Sequence, residues 1–259
     1  MWLLLDRRTP EAAAIAARYP RCHLFDEDQC FALPYPRLAR HGLINHPHFP
    51  LLDFYREHGD YDRYWVLEYD VRYSGEWSHF FRSVDTYEFD LMTCHVRRYA
   101  MEPRWPWWSS LEHASKSIPH ERYVRSFNVI YGMSRPALDF VHASLLDGWR
   151  GYPEVLLPTL LLEGGFRLLD MGGNGEFTPA ALRNQSYTSS ATSSGYLSPF
   201  RTMRFRPARS ATGALPNKLY HPVKPAHLVE SWPQRARRAA VWVKELGAQI
   251  VFRRHSGRP

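Results

Sequence analysis

The chain has 259 residues, of which 44% are hydrophobic and 23% are charged. These fractions are ordinary for a globular protein with a substantial core, and they exclude disorder as the overall state. The formal net charge of +7 indicates an anionic partner, such as a nucleic acid, an anionic membrane surface or a phosphorylated small molecule.

Cysteine usage and the lack of long apolar stretches bear on the compartment. The three cysteines contain no Cys-x-x-Cys pair, which argues against a disulfide scaffold and fits a reducing environment. The longest apolar run, 155–162, is interrupted by Pro158 and is far shorter than the ~20 residues of a membrane span. We therefore expect a cytoplasmic protein.

The first part of the chain alternates short apolar runs with helical patterns. The predicted strands and helices, in chain order, are strand 2–5, helix 11–18, strand 22–25, helix 50–58 and strand 64–71. This alternation predicts an α/β fold with an open, mostly parallel sheet flanked by helices. Ligands of such sheets bind at the carboxyl ends of the strands, where Asp6, Asp26 and the segment Glu68-Tyr69-Asp70 lie.

The second part of the chain carries fewer clear signals. It contains predicted helices over 136–146 and 154–162, a strand over 166–170 and a Ser/Thr/Gly-rich loop over 184–198, which we expect to be mobile. We expect a catalytic domain over 1–229. A basic appendage over 230–259 would follow it, with an amphipathic helix at 235–246 and a strand at 249–252.

The pair Glu68-x-Asp70 is the first candidate site. Residues two apart in a strand point to the same side, so both carboxylates could hold Mg²⁺ or Mn²⁺, which in turn binds a diphosphate. Two solvated acids where a strand meets a loop explain the spacing equally well.

Several segments together resemble a known family. They are 64–77 (YWVLEYDVRYSGEW), Phe80-Phe81, Trp105-x-Trp107-Trp108, 151–159 (GYPEVLLPT) and 219–224 (LYHPVK). In this order they resemble a group of bacterial and fungal proteins that look like glycosyltransferases with a GT-A core. The resemblance runs from about Pro47 to Lys224. It departs in having Glu-x-Asp in place of Asp-x-Asp, which leaves metal dependence open.

The resemblance implies roles for particular residues. It places Glu68, Asp70 and Arg72 at the nucleotide-sugar donor, with Glu68 and Asp70 as metal ligands, and Asp6 would join them because it lies at a predicted strand end. It also places a catalytic base at Glu154. A carboxylate can take the proton of an acceptor hydroxyl, although a Glu after Pro in a first helical turn is also stabilising by itself.

His221 and Lys224 form the next candidate pair. His221 could ligate the metal and Lys224 could contact the donor phosphates, since a departing nucleoside diphosphate carries negative charge that a cation must stabilise. Lys224 also allows a metal-free variant. A lone His before Pro is more often structural.

Trp105, Trp107 and Trp108 are candidate platforms for an acceptor sugar, because aromatic faces pack against the C–H faces of pyranoses. A hydrophobic plug beneath a loop is an equally good explanation of these rings.

The leading hypothesis is an inverting glycosyltransferase that moves a sugar from a nucleoside-diphosphate sugar to a glycan or glycolipid hydroxyl, as in polysaccharide biosynthesis. The basic C-terminal helix could rest on the anionic face of the inner membrane. Three alternatives stay open: a nucleic-acid-binding module using its arginine clusters, a metal-dependent phosphohydrolase, and a non-catalytic relative. Because the arginines do not interleave with the aromatics as a stacking groove requires, we expect no nucleic-acid partner.

Overall fold

The structure is a computed structural model that describes residues 1–38, 42–189 and 201–229. The helices in these ranges are α1 (Ala12–Arg18), α2 (Glu27–Phe31), α3 (Phe49–Glu57), α4 (Trp77–Asp85), α5 (Arg135–Asp147) and α6 (Pro153–Glu163). The strands are β1 (Leu3–Asp6), β2 (Cys22–Phe25), β3 (Arg63–Leu67), β4 (Arg72–Tyr73), β5 (Leu91–Arg98), β6 (Val124–Ser134), β7 (Leu168–Asp170) and β8 (Leu219–Tyr220). The prediction of a mixed α/β fold is therefore confirmed.

The largest sheet has four strands in the order β3-β6-β5-β7. β6 is antiparallel to both β3 and β5, while β5 and β7 are parallel. The sheet is therefore mixed, rather than mostly parallel as the alternation of elements predicted. The reason is that β6, where no strand was predicted, lies between β3 and β5 and runs antiparallel to both.

Apolar side chains pack on both faces of this sheet. Along β5, Leu91 contributes to one core cluster and Met92 to the other, as the strand's period of two requires. One face is covered mainly by α3, α5 and α6, and the other by α4 together with Leu182, Tyr187, Met203 and Leu219. α6 is apolar around its whole circumference, which fits its position between β6 and α5.

Two small sheets complete the architecture. β1 and β2 pair in parallel, with Leu3 opposite Cys22 and Asp6 opposite Phe25. β4 and β8 pair antiparallel and join parts of the chain that are far apart in sequence, with Arg72 opposite Tyr220.

A buried aspartate at the end of β7 organises the neighbouring loop. Asp170 accepts hydrogen bonds from the backbone N–H groups of Val96 (3.0 Å), Gly172 (3.0 Å) and Gly173 (2.8 Å), and from the hydroxyl of Tyr187 (2.8 Å). The side chain is buried, so water cannot replace these bonds. Asp170 therefore fastens β7, β5 and the loop after β7 to one another.

We expect Asp170→Ala to lower the free energy of unfolding by about 3 kcal/mol or more, because it leaves several buried donors without an acceptor. Urea denaturation followed by circular dichroism measures this loss. Asp85→Ala, at a side chain that is 59% exposed, is the matched control and should change stability by less than about 0.5 kcal/mol. Equal stability of the two variants would contradict the structural role of Asp170.

Several sequence predictions lie outside the described residues. These are most of the loop 184–198, the helix 235–246, the strand 249–252 and thus the whole appendage 230–259. Among the residues that the structure does describe, no helix is long and apolar enough to cross a membrane.

Candidate functional site

The site is built where the end of β3 meets the segment after β8. Glu68 continues the β3 ladder by one bond, from its N–H to the carbonyl of Val129 (2.9 Å), and the chain then turns, with Val71 N–H bonding to Glu68 O (3.1 Å). Pairing of β4 with β8, and a bond from Val223 N–H to Asp70 O (2.8 Å), bring residues 221–224 beside this turn.

This arrangement corrects one expectation. β3 ends at Leu67, so Glu68 and Asp70 are not in a strand, and their carboxylates do not share a side because of the pleat. They converge because the turn at 68–71 folds them toward the same imidazole.

That imidazole belongs to His221. Its Nε2 lies 3.3 Å from Asp70 Oδ1 and 3.5 Å from Glu68 Oε2, and Lys224 Nζ lies 3.5 Å from Asp70 Oδ2. His221 and Asp70 are buried, whereas the Glu68 side chain is 44% exposed. Of these three side chains, Glu68 is therefore the one through which solvent can reach the cluster.

The orientation of the His221 ring is fixed from behind. Nδ1 lies 2.7 Å from the carbonyl oxygen of Arg204, and since a carbonyl only accepts, Nδ1 must donate there. Nε2 is thereby directed at the two carboxylates. The same arrangement, with one ring nitrogen bonded to a carbonyl, orients histidines that ligate metals.

The charges in the cluster depend on one another. Burial by itself lowers the pKa of His221, but the hydrogen bonds and charges of Asp70 and Glu68 outweigh it and raise that pKa to about 9. Burial likewise raises the pKa of Asp70, but His221 and Lys224 reverse this effect and hold it below its usual value. At neutral pH a positive charge therefore lies between two carboxylates.

A divalent cation fits this set of donors. Glu68, Asp70 and His221 each offer one ligand atom, and these atoms lie within 4.8 Å of one another. Asp70 Oδ1 is fully buried and its contact with His221 Nε2 is long, at 3.3 Å, so this oxygen keeps the capacity to ligate a cation. A cation ligated by Nε2 would replace the proton now held there.

Glu154, on a different element, interacts electrostatically with the same cluster. It lies in the first turn of α6, where Pro153 occupies a position that needs no N–H donor. Burial raises the pKa of Glu154 to about 7; Arg125 and His221 act to lower it and Glu68 acts to raise it. The carboxyl thus lies within electrostatic range of Glu68 and His221, and it exchanges a proton near neutral pH.

The other predicted donor residues are placed less centrally. Asp6 lies on the wall of a groove of about 490 Å³, with Leu4, Phe25 and Val66 at the carboxyl ends of β1, β2 and β3. Its carboxylate is engaged by Arg8, whose hydrogen bonds lower the pKa of Asp6. The contact with the donor predicted for Asp6 stays a prediction.

Arg72 does not join the cluster. It is exposed, and its guanidinium donates to the backbone carbonyls of Tyr69 (2.6 Å) and Val71 (2.9 Å). Arg72 therefore stabilises the turn that carries Asp70, and the structure gives it no contact with the other predicted donor residues.

The structure corrects the predicted acceptor platform. Trp105 and Trp108 are 7% and 4% exposed and belong to the core, so their ring faces are already covered. Trp107 is only partly buried and stacks on Tyr152, with ring centroids 4.5 Å apart and an interplanar angle of 15°. Trp105 also meets Tyr152, the residue before α6, but at 6.3 Å and 58°, so the parallel stack on Tyr152 is made by Trp107.

Sequence reasoning did not identify Arg125 and Asn128 on β6. Arg125 is 1% exposed and pairs with Glu102 at 2.6 Å, while a backbone hydrogen bond from Asn128 acts to lower the pKa of Glu154. The signal that could have revealed them is the run of polar residues within an otherwise apolar strand pattern at 124–134.

The fold and site define a mixed α/β protein with a carboxylate–histidine cluster and a separate carboxyl group of near-neutral pKa. Residues 21–102 match a family described as "Protein of unknown function (DUF3405)". The matched segment contains Glu68 and Asp70, whereas Glu154, His221 and Lys224 lie outside it. No curated protein and no solved structure matches the chain.

Proposed function

We propose that this chain is an inverting glycosyltransferase with a GT-A-like core that uses a nucleoside-diphosphate sugar and a divalent cation. The observation that carries the proposal is the convergence of Glu68, Asp70 and His221 from two distant parts of the chain, with Glu154 within electrostatic range of them. A set of solvated acids would not need a buried histidine held between them, nor a third carboxyl group supplied by a helix.

The site has places for the diphosphate and the nucleoside of the donor. Glu68, Asp70 and His221 would hold the cation that binds the diphosphate, and Lys224 adds a positive charge beside Asp70. When bound, the cation neutralises the diphosphate and stabilises the charge that develops on the leaving group. The groove at Asp6 and Val66 offers room for the nucleoside, because Val66 is only two residues before Glu68.

Glu154 performs the proton transfer. Its carboxylate takes the proton of the acceptor hydroxyl as that oxygen forms the bond to the anomeric carbon, and the bond from this carbon to the diphosphate breaks. The nucleoside diphosphate leaves with the bonding electrons, and the proton stays on Glu154. A carboxyl group with a pKa of about 7 is suited to this step, since it is partly ionised at neutral pH and still basic enough to accept a proton.

The acceptor is a hydroxyl of a surface glycan or a glycolipid. Trp107, stacked on Tyr152 next to Pro153 and Glu154, is the ring best placed to meet such a sugar. A contact with a membrane surface rests on the basic residues after 230, which lie outside the described part of the chain.

Thermal stability against a panel of nucleoside diphosphates, each with Mn²⁺ and with EDTA, tests the proposal. We expect one nucleotide to raise the melting temperature with Mn²⁺, because a ligand at 100 times its dissociation constant stabilises the folded state by about 2.7 kcal/mol. The matching nucleoside without phosphates is the control and should give a much smaller shift. If no diphosphate raises the melting temperature under either condition, the proposal fails.

A further inference from the structure

A second group of metal-ligating side chains lies between β2 and the end of α3. It consists of His23 on β2, Glu57 at the last position of α3, and His58, which follows it. One ligand atom from each of these residues lies within 4.8 Å of the others. The group shares no residue with Glu68, Asp70 and His221, and it has no part in the transfer reaction described above.

His23 is oriented as a metal ligand would be. Its Nε2 lies 2.8 Å from Asp53 Oδ2, which also accepts a hydrogen bond of 2.7 Å from Gln29 Nε2. Asp53 is buried, so its carboxylate fixes both the tilt and the tautomer of the ring. Nε2 donates to Asp53, and the lone pair on Nδ1 therefore faces Glu57 Oε2 at 3.5 Å.

His58 is held in place by aromatic rings. Trp2 and Phe54 pack against it with ring centroids at 4.4 and 4.6 Å, and Trp2 is itself anchored by a hydrogen bond to the Tyr61 hydroxyl (2.9 Å). The rings of His23 and His58 lie 6.1 Å apart at an angle of 78°. Two imidazoles are therefore fixed by their surroundings before any ion binds.

We propose that His23, Glu57 and His58 form a Zn²⁺ site, with Asp53 as the residue that positions His23. Two imidazoles and one carboxylate are a ligand set that favours zinc over magnesium or manganese. Tetrahedral ligands of zinc lie roughly 3.3 Å from one another, close to the 3.5 Å between His23 Nδ1 and Glu57 Oε2. A carboxylate bonded to the far side of a ligating histidine is the usual companion of such a site.

The fourth ligand is water, because the Glu57 side chain is 59% exposed and leaves the site open to solvent. The ion would link β2 directly to the end of α3. These two elements also meet through the ring contact of His23 with Phe54 and the bond of His23 to Asp53. Zinc binding should therefore stabilise the folded chain, and the stabilisation should grow with the logarithm of the zinc concentration once the site is saturated.

The test uses the full chain without a histidine tag, stripped of metal and then dialysed against buffered zinc. Asp70→Asn serves as the background, so that the other cluster does not contribute. We expect one zinc ion per chain by elemental analysis. We also expect a rise in melting temperature with zinc, and visible absorption bands of a four-coordinate ion when Co²⁺ replaces zinc.

In the same background, His58→Ala should weaken zinc binding by at least about 100-fold and remove the thermal shift and the cobalt bands. Glu57→Gln, at an exposed position that cannot affect folding much, should weaken binding as well. His79→Ala removes another exposed histidine and should leave zinc binding unchanged. The proposal is overturned if the background protein binds no zinc, or if it keeps its zinc after both His58→Ala and Glu57→Gln.

Discussion

Glu154→Gln should reduce kcat for sugar transfer by about 10²- to 10⁴-fold, while the dissociation constant of the nucleoside diphosphate stays within about twofold. The amide keeps the shape of the side chain but cannot accept the acceptor's proton. The donor contacts at Glu68, Asp70 and His221 are unaffected. Steady-state kinetics, with calorimetric titration of the nucleotide, separates the two effects.

The matched control is Glu163→Gln at the other end of α6, where the carboxylate pairs with Arg122 at 2.7 Å on the surface. This variant should keep wild-type kcat. A Glu154→Gln protein with normal kcat would exclude Glu154 as the base. If nucleotide binding were lost instead, Glu154 would belong to the donor site.

The same carboxyl group sets the expected pH dependence. Because its pKa is raised to about 7, Glu154 is protonated below that pH, so kcat/KM should fall tenfold per unit of decreasing pH below about 7. Above pH 7 the group is ionised and the profile should level off. When Mn²⁺ is saturating, the residual kcat/KM of Glu154→Gln should no longer fall as the pH decreases below about 7.

The elements that could be predicted from sequence are those whose local signals agree with their packing. α1, α3 and α6 begin and end within a residue or so of their predicted bounds, since Pro10 and Pro153 mark helix starts and Gly59 and Gly164 follow the ends. β1 and β2 are short apolar runs, each followed closely by acids. In these places local propensity and tertiary contacts favour the same structure.

The two central strands of the large sheet were not predicted. β5 and β6 are buried along nearly their whole length, yet they contain His95, Arg97 and Arg125. The burial of the two arginines depends on Glu102, which lies outside both strands, 3.6 Å from Arg97 and 2.6 Å from Arg125, and is 23 residues before Arg125 in sequence. A charged residue inside a core strand interrupts the hydrophobic pattern, and its partner cannot be read from local sequence.

The candidate site was predicted more completely than the sheet that holds it. Glu68, Asp70, Glu154, His221 and Lys224 were all selected from sequence. The two acids at 68 and 70 follow a predicted strand, whereas the selection of Glu154 depended on the family resemblance. Their proximity depends on the pairing of β4 with β8, which are two residues each and carry no sequence signal. The burial of Trp105 and Trp108 had no local signal either, since ring-rich loops occur both in cores and at binding sites.

The cation-dependent part of donor binding should be lost in Asp70→Asn. In the wild-type chain we expect Mn²⁺ to increase nucleoside-diphosphate affinity, and in the variant this increase should fall by about 100-fold. Asparagine has nearly the same volume and can still be packed beside His221, so the fold should survive, whereas the negative charge that would ligate the cation is removed. Calorimetric titrations with Mn²⁺ and with EDTA measure the difference.

Glu76→Gln, at an exposed acid just before α4, is the control for loss of one negative charge outside the cluster and should keep the full Mn²⁺ effect. If Asp70→Asn also keeps it, Asp70 does not hold the cation. Lys224 would then be the remaining candidate for the diphosphate, because its ammonium group lies 3.5 Å from Asp70 on the same side of the turn. In that case nucleotide binding would be insensitive to EDTA and would be lost in Lys224→Ala, which distinguishes charge neutralisation by the protein from neutralisation by a metal ion.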